Sequence, residues 1–528
     1  MSKTKPSQLG DSTQLSRSKA LAVEPGGIRL PGFTVLSHPA VQRVGERALL
    51  ADLAAGRTEK VSRLAPKFAA IGSGAVATPL SHRRLSREPL ILEPRSEGIM
   101  LRVGGSPIPV VADGQPVSEE RLFSVAEIER GVVLLLANRV VLLLHLLDPY
   151  VDPGLPRFGL IGEHPSLIAV RRSLQQAADA TVPVLLRGES GTGKELVAQA
   201  LHQASKRRDA PFVAVNMAAV PATLAAAELF GAARGAYTGA DRRREGFFSR
   251  AHGGTLFLDE VGEMSIEVQT LLLRCLETGE IQPVGEPPRR VDVRLVAATD
   301  ADLESAVTAG RFRAPLLYRL EGYGIRLPPL RERREDFGRL LVEFLRQELT
   351  AIGEAAHLEA DPPWLPAELV ARLALHSWPG NVRQLRNVVR QLVISNRGRG
   401  QAQLDSTLVE ALREPAATPP VALPPPNAPT PAHTPPRKPA DITEEELLAA
   451  LKAARFRPHD AARRLGIPRP SIYHLMNKSP KLRTGADLGL EDLKAACERF
   501  GEDVAAMAAE FEVSEQGLRR RLRQVGLM

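Results

Sequence analysis

The sequence predicts a multidomain protein. A β-sandwich comes first, an α/β domain with a helical subdomain follows, and an all-α region with helix-turn-helix motifs ends the chain. Short apolar runs separated by Gly, Pro and Asp occupy residues 28–150, strands alternate with helices over 159–330, and helical periodicity alone covers 331–398. A chain of 528 residues is too long for one hydrophobic core, so three or four domains are expected.

Composition and charge narrow the class of protein. Two cysteines far apart, Cys275 and Cys497, make neither a disulfide framework nor a metal cluster, which predicts a protein of the reducing cytoplasm. The polar N-terminus lacks the apolar segment of a secretory signal. A formal net charge of +8 fits a nucleic-acid partner, although many basic proteins bind none.

The N-terminal part divides into a tail and a strand-rich domain. Residues 1–27 are polar and predict a flexible tail, whereas 28–150 predict a β-sandwich with a regulatory role. Its most apolar stretch, 131–147, is interrupted by polar residues and is too short to span a bilayer. This stretch predicts two buried strands joined by a tight turn.

The α/β domain over 159–330 is predicted from its alternating elements. Strands are expected at 184–187, 211–215, 255–258 and 293–297, with helices between them, which is typical of a parallel sheet covered on both faces. A small helical subdomain over 331–398 follows.

A linker and a duplication form the rest of the chain. Eleven prolines within 415–439 predict an extended spacer, part of a linker over 399–440. Two similar segments, 441–480 and 487–528, then each contain a small-residue helix, a sharp turn and a second helix with basic residues. This is typical of a helix-turn-helix, and a pair of dimerisation helices is the alternative. The residues predicted to contact DNA are Arg469, Ser471, Tyr473, His474, Arg519, Arg520 and Arg523.

A glycine-rich turn after the first strand of the α/β domain predicts a phosphate-binding loop. Glycines let backbone N–H groups approach phosphate oxygens, the following helix adds its positive dipole end, and Lys194 supplies a cation. Glu195 stands where Ser or Thr usually meets magnesium. The predicted nucleotide-binding run is Gly188, Glu189, Ser190, Gly191, Thr192, Gly193, Lys194 and Glu195.

Two acids end the apolar strand about 65 residues further on. Ligands bind beyond the carboxyl ends of parallel strands, so Asp259 is predicted to face a metal ion and Glu260 to orient and deprotonate water. Together with the phosphate loop, these acids predict hydrolysis of ATP with Mg²⁺.

The α/β and helical segments, about 159–398, resemble the AAA+ domain of sigma-54-dependent activators, also called bacterial enhancer-binding proteins. In that family Glu commonly follows the loop lysine, as Glu195 does here. A signature surface loop carries the resemblance, and Tyr237 replaces its usual Phe. The family implies contact with the sigma-54 factor through this loop, which is Gly235, Ala236, Tyr237, Thr238, Gly239 and Ala240.

Further roles are implied by the same resemblance. Asn216 matches the residue that restrains the catalytic Glu, and Thr299 with Asp300 matches the first sensor, where Asp300 replaces the usual Asn. Arg383 matches the second sensor, which reaches the nucleotide from the lid. Arg313 and Arg319 match arginines offered in trans to the ATP of a neighbouring subunit, in a family that forms hexamers.

The two ends of the chain carry weaker resemblances. The first helix-turn-helix resembles the Fis-type module that ends most family members. Residues 28–150 resemble a forkhead-associated domain, in which Ser86 and Arg87 match a phosphothreonine-binding Ser-Arg step. Gly45–Glu46 stands where that family has Gly-Arg, so a sandwich used only for protein contact is an equal alternative.

The expected function is a cytoplasmic, sigma-54-dependent transcription activator. It would bind upstream enhancer-type DNA, assemble a hexameric ATPase ring and remodel sigma-54 RNA polymerase, under control of a phosphorylated or other signalling protein. The alternatives are a DNA-binding regulator whose ATPase is weak or silent and an unrelated ring ATPase, and the loop 235–240 argues against the latter.

Overall fold

The structure is a computed structural model of the chain, and it describes fifteen stretches. These are residues 29–71, 76–149, 154–236, 243–405, 408–409, 412, 442–454, 458–465, 467, 472, 475–476, 488–500, 504–511, 513 and 515–525. The chain divides into two compact units, Met1–Ala417 and Thr418–Met528. The predicted tail and the proline-rich segment 415–439 lie outside the described residues.

A β-sandwich begins the first unit, which confirms the prediction of a β-rich N-terminal region. Its strands are β1 Leu30–Ser37, β2 Arg47–Leu49, β3 Glu59–Val61, β4 Lys67–Phe68, β5 Thr78–Pro79, β6 Leu90–Arg95, β7 Gly98–Arg102, β8 Val110–Ala112, β9 Gln115–Pro116, β10 Glu120–Ser124, β11 Val132–Leu136 and β12 Val140–Leu147. Two short helices, α1 Ala51–Ala54 and α2 Val125–Arg130, join strands. One antiparallel sheet has the order β2-β1-β12-β11-β8-β9, the other has β10-β7-β6-β3, and they enclose a shared apolar core.

The hairpin of β11 and β12 is the most apolar part of the sandwich. Its loop includes Ala137 and Asn138, both with positive φ, as the sequence predicts for a tight turn. Side chains alternate between faces, so Leu134 and Leu142 enter the sandwich core, while Leu135 enters a second core on the other face. The uninterrupted apolar run therefore reflects a sheet that is covered on both sides.

The α/β part contains five parallel strands in the order β14-β15-β18-β13-β19. The strands are β13 Val184–Arg187, β14 Phe212–Asn216, β15 Thr255–Asp259, β18 Arg294–Thr299 and β19 Tyr323–Arg326. The helices are α3 Pro165–Ala177, α4 Lys194–Gln203, α5 Ala222–Phe230, α6 Phe247–Arg250, α7 Ile266–Thr278, α8 Leu303–Thr308 and α9 Ala314–Leu320. A two-stranded ribbon is formed by β16 Glu280–Ile281 and β17 Arg289–Arg290.

Apolar layers cover both faces of this parallel sheet. Leu256 and Leu258 of β15 point to one layer, and Phe257 points to the other. The four predicted strands are present with their ends within two residues of the prediction, and β19 was not predicted. It is an edge strand in which Ile325 alone is buried, so its sequence has no apolar run.

Three helices form the lid, namely α10 Phe337–Ala351, α11 Ala367–Ala374 and α12 Asn381–Ser395. Their apolar faces share one core with the outward face of the β11–β12 hairpin. Leu135 and Val141 of the sandwich lie in the same cluster as Leu341 and Phe344 of α10. The sandwich and the lid are therefore packed against each other through a continuous apolar interface.

The second unit contains five described helices with two separate cores. They are α13 Glu444–Ala453, α14 Pro458–Leu465, α15 Leu490–Phe500, α16 Val504–Glu510 and α17 Glu515–Gln524. Thr443 begins α13 with a capping box in which Glu446 is the partner. Ile472 is fully buried in the first core. No helix among the described residues is long and apolar enough to cross a bilayer.

Candidate nucleotide-binding site

The phosphate-binding loop joins β13 to α4 in the conformation that its glycines permit. Gly191 has φ +80°, and a Cβ atom there would lie 2.4 Å from the carbonyl oxygen of Gly380, so only glycine fits. Lys194 is the first residue of α4 and is 6% exposed. Its Nζ donates a hydrogen bond to the carbonyl oxygen of Gly188 at 2.8 Å, so the cation is folded over the loop.

The lid contacts the loop directly. Both terminal nitrogens of Arg331 donate to the Glu189 carboxylate, at 2.7 and 2.5 Å, and the Asn381 amide donates to it at 3.1 Å. These hydrogen bonds lower the pKa of Glu189 to about 2, and the bonds from Arg331 have the largest effect. Arg383, the predicted second sensor, donates to Ser190 Oγ at 2.9 Å. The lid is therefore hydrogen-bonded to the same loop that would bind the phosphates.

A cavity of about 340 Å³ opens beside the loop. The residues 190–197 of the loop and helix α4 form one side, including Glu195, and Asp259 with Glu260 forms another. The predicted Arg383 also lines the cavity, and the remaining wall comes from residues that were not predicted. Its members are Gly159, Leu160, Ile161, Leu167, Leu327, Pro328, Arg333, Leu340, Phe344, Val382 and Arg386. A polar end beside an apolar pocket is the arrangement that a nucleotide requires.

The strand-end acids face the loop lysine. Glu260 Oε1 lies 3.8 Å from Lys194 Nζ, and Glu260 has a left-handed φ of +54° that turns the chain at the end of β15. Burial raises the pKa of Glu260, Lys194 opposes this effect, and the neighbouring charges of Asp300 and Asp259 add to it. Asp259 Oδ1 accepts a hydrogen bond from the backbone N–H of Glu260. A carboxylate with a raised pKa beside a bound phosphate is suited to act as a base.

Asn216 and Thr299 lie at the ends of β14 and β18, the two strands that flank β15, and they do not line the cavity. Asn216 pairs in register with Asp259, and its Oδ1 accepts a hydrogen bond from the backbone of Ala218. The structure thus places Asn216 beside the acids without a described hydrogen bond to Glu260. Thr299 is buried, and its carbonyl oxygen accepts from the N–H of Gly188, which anchors the start of the phosphate loop.

The two predicted trans arginines also lie away from this chain's own cavity. Arg313 donates to the Thr270 hydroxyl, and its backbone N–H donates to Gln269 Oε1 at 2.9 Å. Arg319 is exposed and donates to the carbonyl oxygen of Leu276 at 3.3 Å. Both side chains are held against α7.

The base of the loop 235–240 is held by two ion pairs. Arg243 lies 2.7 Å from Glu286, and Arg244 pairs with Glu228 at the end of α5. The backbones of Ala232 and Arg244 also form an isolated antiparallel β-bridge at this base. Gly235 and Ala236 are described, whereas Tyr237, Thr238, Gly239 and Ala240 lie outside the described residues.

The predicted phosphopeptide residues sit apart from the nucleotide cavity. Ser86 Oγ accepts a hydrogen bond from the N–H of Glu88, and Arg87 is exposed. Gly45, by contrast, packs on the lid, because its carbonyl oxygen accepts from Arg339 at 2.7 Å. The turn at Gly45 therefore contacts α10.

Among the residues predicted to bind DNA, three lie on the described helix α17. Arg519 and Arg523 are exposed there, and Arg520 belongs to the same helix. Arg469, Ser471, Tyr473 and His474 lie outside the described residues.

Comparisons with known proteins match this architecture. Residues 160–326 match the family described as the Sigma-54 interaction domain, and residues 331–419 match the AAA+ ATPase lid domain. The DNA-binding transcriptional regulator NtrC of Escherichia coli (strain K12) is 48% identical over 244 residues, which are 46% of this chain and 51% of that protein. The chain thus spans about half the length of that relative.

Two further similarities extend over more of the chain. The transcriptional regulatory protein ZraR of Klebsiella oxytoca is 39% identical over 332 residues, which are 63% of this chain and 71% of that protein. The crystal structure of NtrX from Brucella abortus in complex with ADP is 29% identical, covers 70% of each chain and has a TM-score of 0.42.

The parallel sheet, the lysine-bearing loop, the strand-end acids and the helical lid define a P-loop NTPase domain of the AAA+ class. The chain belongs to the sigma-54 activator family of the NtrC and ZraR type.

Proposed function

We propose that this protein hydrolyses ATP and uses the energy to remodel sigma-54 RNA polymerase at promoters. The observation that carries the proposal is that Lys194 Nζ and Glu260 Oε1 lie 3.8 Å apart in the wall of the cavity. Lys194 would bind the β- and γ-phosphates, and Glu260 would take the proton of the attacking water. Each residue is already held by the fold, which is how an enzyme lowers the cost of positioning.

Magnesium fits the site through Asp259. Among the described residues no group of three or more His, Cys, Asp or Glu side chains is arranged to hold a metal ion. Mg²⁺ is commonly bound by one or two carboxylates together with substrate phosphates and water, so one acid at the strand end suffices. When bound, the ion would neutralise charge on the phosphate oxygens.

A ring assembly would complete the catalytic site. Arg313 and Arg319 are supported by α7 and lie away from this chain's own cavity, which suits arginines offered to a neighbouring subunit. A cation supplied in this way stabilises developing phosphoryl charge and is worth about 10³–10⁵ in rate. We infer a hexamer, the assembly that the family resemblance implies.

The contacts with polymerase and DNA would lie at two further places. The loop 235–240, with its base held by ion pairs, would contact sigma-54. The helix-turn-helix segments would bind upstream enhancer-type DNA, the second through Arg519, Arg520 and Arg523 on α17. The sandwich would receive a phosphorylated or other signalling protein, through Ser86 and Arg87 if the ligand is a phosphopeptide.

The test follows ATP turnover and the conversion of closed to open sigma-54 promoter complexes in one preparation. The intact protein should support both, and Glu260→Gln should abolish both while nucleotide still binds. The matched control is Glu263→Gln, because Glu263 is an exposed acid three residues further along. Removal of residues 441–528 should abolish salt-sensitive DNA binding and leave ATP binding intact. Open complexes formed by Glu260→Gln at the normal rate would refute the proposal.

A second candidate, a DNA-binding regulator with a weak ATPase, has one observation in its favour. Asp300 stands where the family usually has Asn, so the first sensor position carries a negative charge that would repel the γ-phosphate. If turnover of the intact protein equals that of Lys194→Ala at every pH, this candidate replaces the first.

A further inference from the structure

Arg47 of the sandwich lies where three parts of the molecule meet. It belongs to β2, and its side chain is 12% exposed. Nη2 lies 2.8 Å from Glu335 Oε2, just before α10 of the lid. The same nitrogen donates to the carbonyl oxygen of Glu163 at 2.9 Å. One guanidinium group therefore joins the sandwich, the lid and the segment that enters the α/β part.

The segment 159–164 is a wall of the nucleotide cavity. Gly159, Leu160 and Ile161 line it, and the next residues are tied to the lid. The N–H groups of Glu163 and His164 donate to Asp336 Oδ1, at 2.6 and 3.2 Å. The position of this wall is thus set by buried contacts beside Arg47.

A second wall of the cavity, helix α10, is held by the sandwich as well. Leu340 and Phe344 line the cavity, and Arg339 on the same helix donates to the carbonyl oxygen of Gly45 at 2.7 Å. A Cβ atom on Gly338 would lie 2.6 Å from the carbonyl oxygen of Leu36, so α10 lies directly against β1. These two walls of the cavity are therefore attached to the N-terminal sandwich.

We propose that Arg47 is a positioning residue of the nucleotide site, through which the sandwich fixes the segment 159–164 against α10 and so sets the affinity for ATP. The inference rests on the proposed function, because ATP is the proposed ligand. It assigns the sandwich a part in nucleotide binding that the sequence did not indicate. A signalling protein that shifts β2 would change ATP affinity without contact with the cavity.

A purely structural role for Arg47 can be separated by a matched control. Arg43 lies in the same domain, is also 12% exposed, and pairs with Glu46. Its other described hydrogen bonds go to residues 78–80 of the sandwich. Arg43→Met therefore removes a comparable guanidinium without touching the lid or the segment 159–164.

The experiment compares the full-length wild type, Arg47→Met and Arg43→Met by two measurements. The first is hydrogen–deuterium exchange at the amides of Glu163 and His164 in nucleotide-free protein. The second is the Kd for ATP. Arg47→Met with Glu335→Gln is included, because it leaves no uncompensated buried carboxylate and so protects the fold.

Both Arg47 variants should exchange faster at these amides and bind ATP about tenfold more weakly, which corresponds to about 1.4 kcal/mol. Arg43→Met should match the wild type in both measurements. Equal exchange and equal Kd in all four proteins would overturn the inference. If the wild type binds no ATP, the proposed function fails, and the exchange measurement alone then decides whether Arg47 positions the segment.

Discussion

Lys194 Nζ lies 3.8 Å from Glu260 Oε1, so the cation of the phosphate loop is next to the acid at the end of β15 in the wall of the cavity. The acid is partly buried, and burial raises its pKa more than any neighbouring charge does. Lys194 pulls the pKa in the opposite direction. Burial and the lysine charge thus shift the pKa of Glu260 in opposite directions, as expected for a base that lies beside a phosphate-binding cation.

Asp300 should determine the acidic limb of the pH profile. Its charge raises the pKa of Glu260, and the base works only when deprotonated, so kcat should fall as the pH drops through that pKa. Asp300→Asn removes the like charge and should move the acidic limb to lower pH. The measurement is kcat against pH at saturating ATP. An unmoved limb would show that Asp300 does not influence the base.

Arg331 should contribute to nucleotide affinity through the phosphate loop. Arg331→Met removes both hydrogen bonds to Glu189, so the Kd for ATP should rise about threefold, the size expected for an exposed ion pair. Arg390→Met is the control, because Arg390 pairs with Glu348 elsewhere in the lid with similar exposure. Titration with a fluorescent ATP analogue measures the effect. If the two variants lose ATP affinity equally, Arg331 has no specific role in nucleotide binding.

Two neighbouring leucines of β11 should separate stability from nucleotide binding. Leu134 lies in the sandwich core and Leu135 in the core shared with the lid. Each change to Ala should lower the free energy of unfolding by about 2–5 kcal/mol, because it leaves a buried cavity. Only Leu135→Ala should also weaken ATP binding. Denaturant unfolding and the Kd for ATP are measured on both variants. If both bind ATP with the same Kd, packing of the sandwich against the lid does not influence ATP binding, and the prediction is contradicted.

His164 should make the first unit less stable in acid. Burial and nearby arginines lower its pKa from 6.5 to about 4, so the folded state binds fewer protons than the unfolded state. Its contribution to stability is complete above about pH 6.5 and is lost as the pH falls towards about 4. His164→Asn keeps an acceptor at the start of α3 and removes the titration. The fall in Tm between pH 6.5 and pH 4 should be smaller in the variant.

The phosphate loop and the acids were predictable because their chemistry is local. Gly191 and Lys194 must stand at fixed spacing between a strand and a helix, and Glu260 must follow a buried strand. The β11–β12 hairpin was predictable for a similar reason, since its apolar run and polar turn are contiguous.

The rest of the cavity could not be predicted, because its residues are distant in the chain. Leu160, Arg333 and Phe344 line one cavity only after the lid folds over the sheet. The continuous apolar run of β11 showed that both faces are buried, but nothing in it identifies the lid as the cover. Arg47 has no motif at all, and its role depends on contacts with residues more than 100 positions away.

The central claim is that Lys194 and Glu260 hold and cleave ATP, and calorimetric ATP binding together with turnover tests it most directly. Lys194→Ala should lose binding, Glu260→Gln should bind without turnover, and Lys206→Ala should behave as the wild type, because Lys206 is an exposed lysine outside the cavity. If the wild type shows neither binding nor turnover, or if Lys194→Ala retains both, the claim is contradicted.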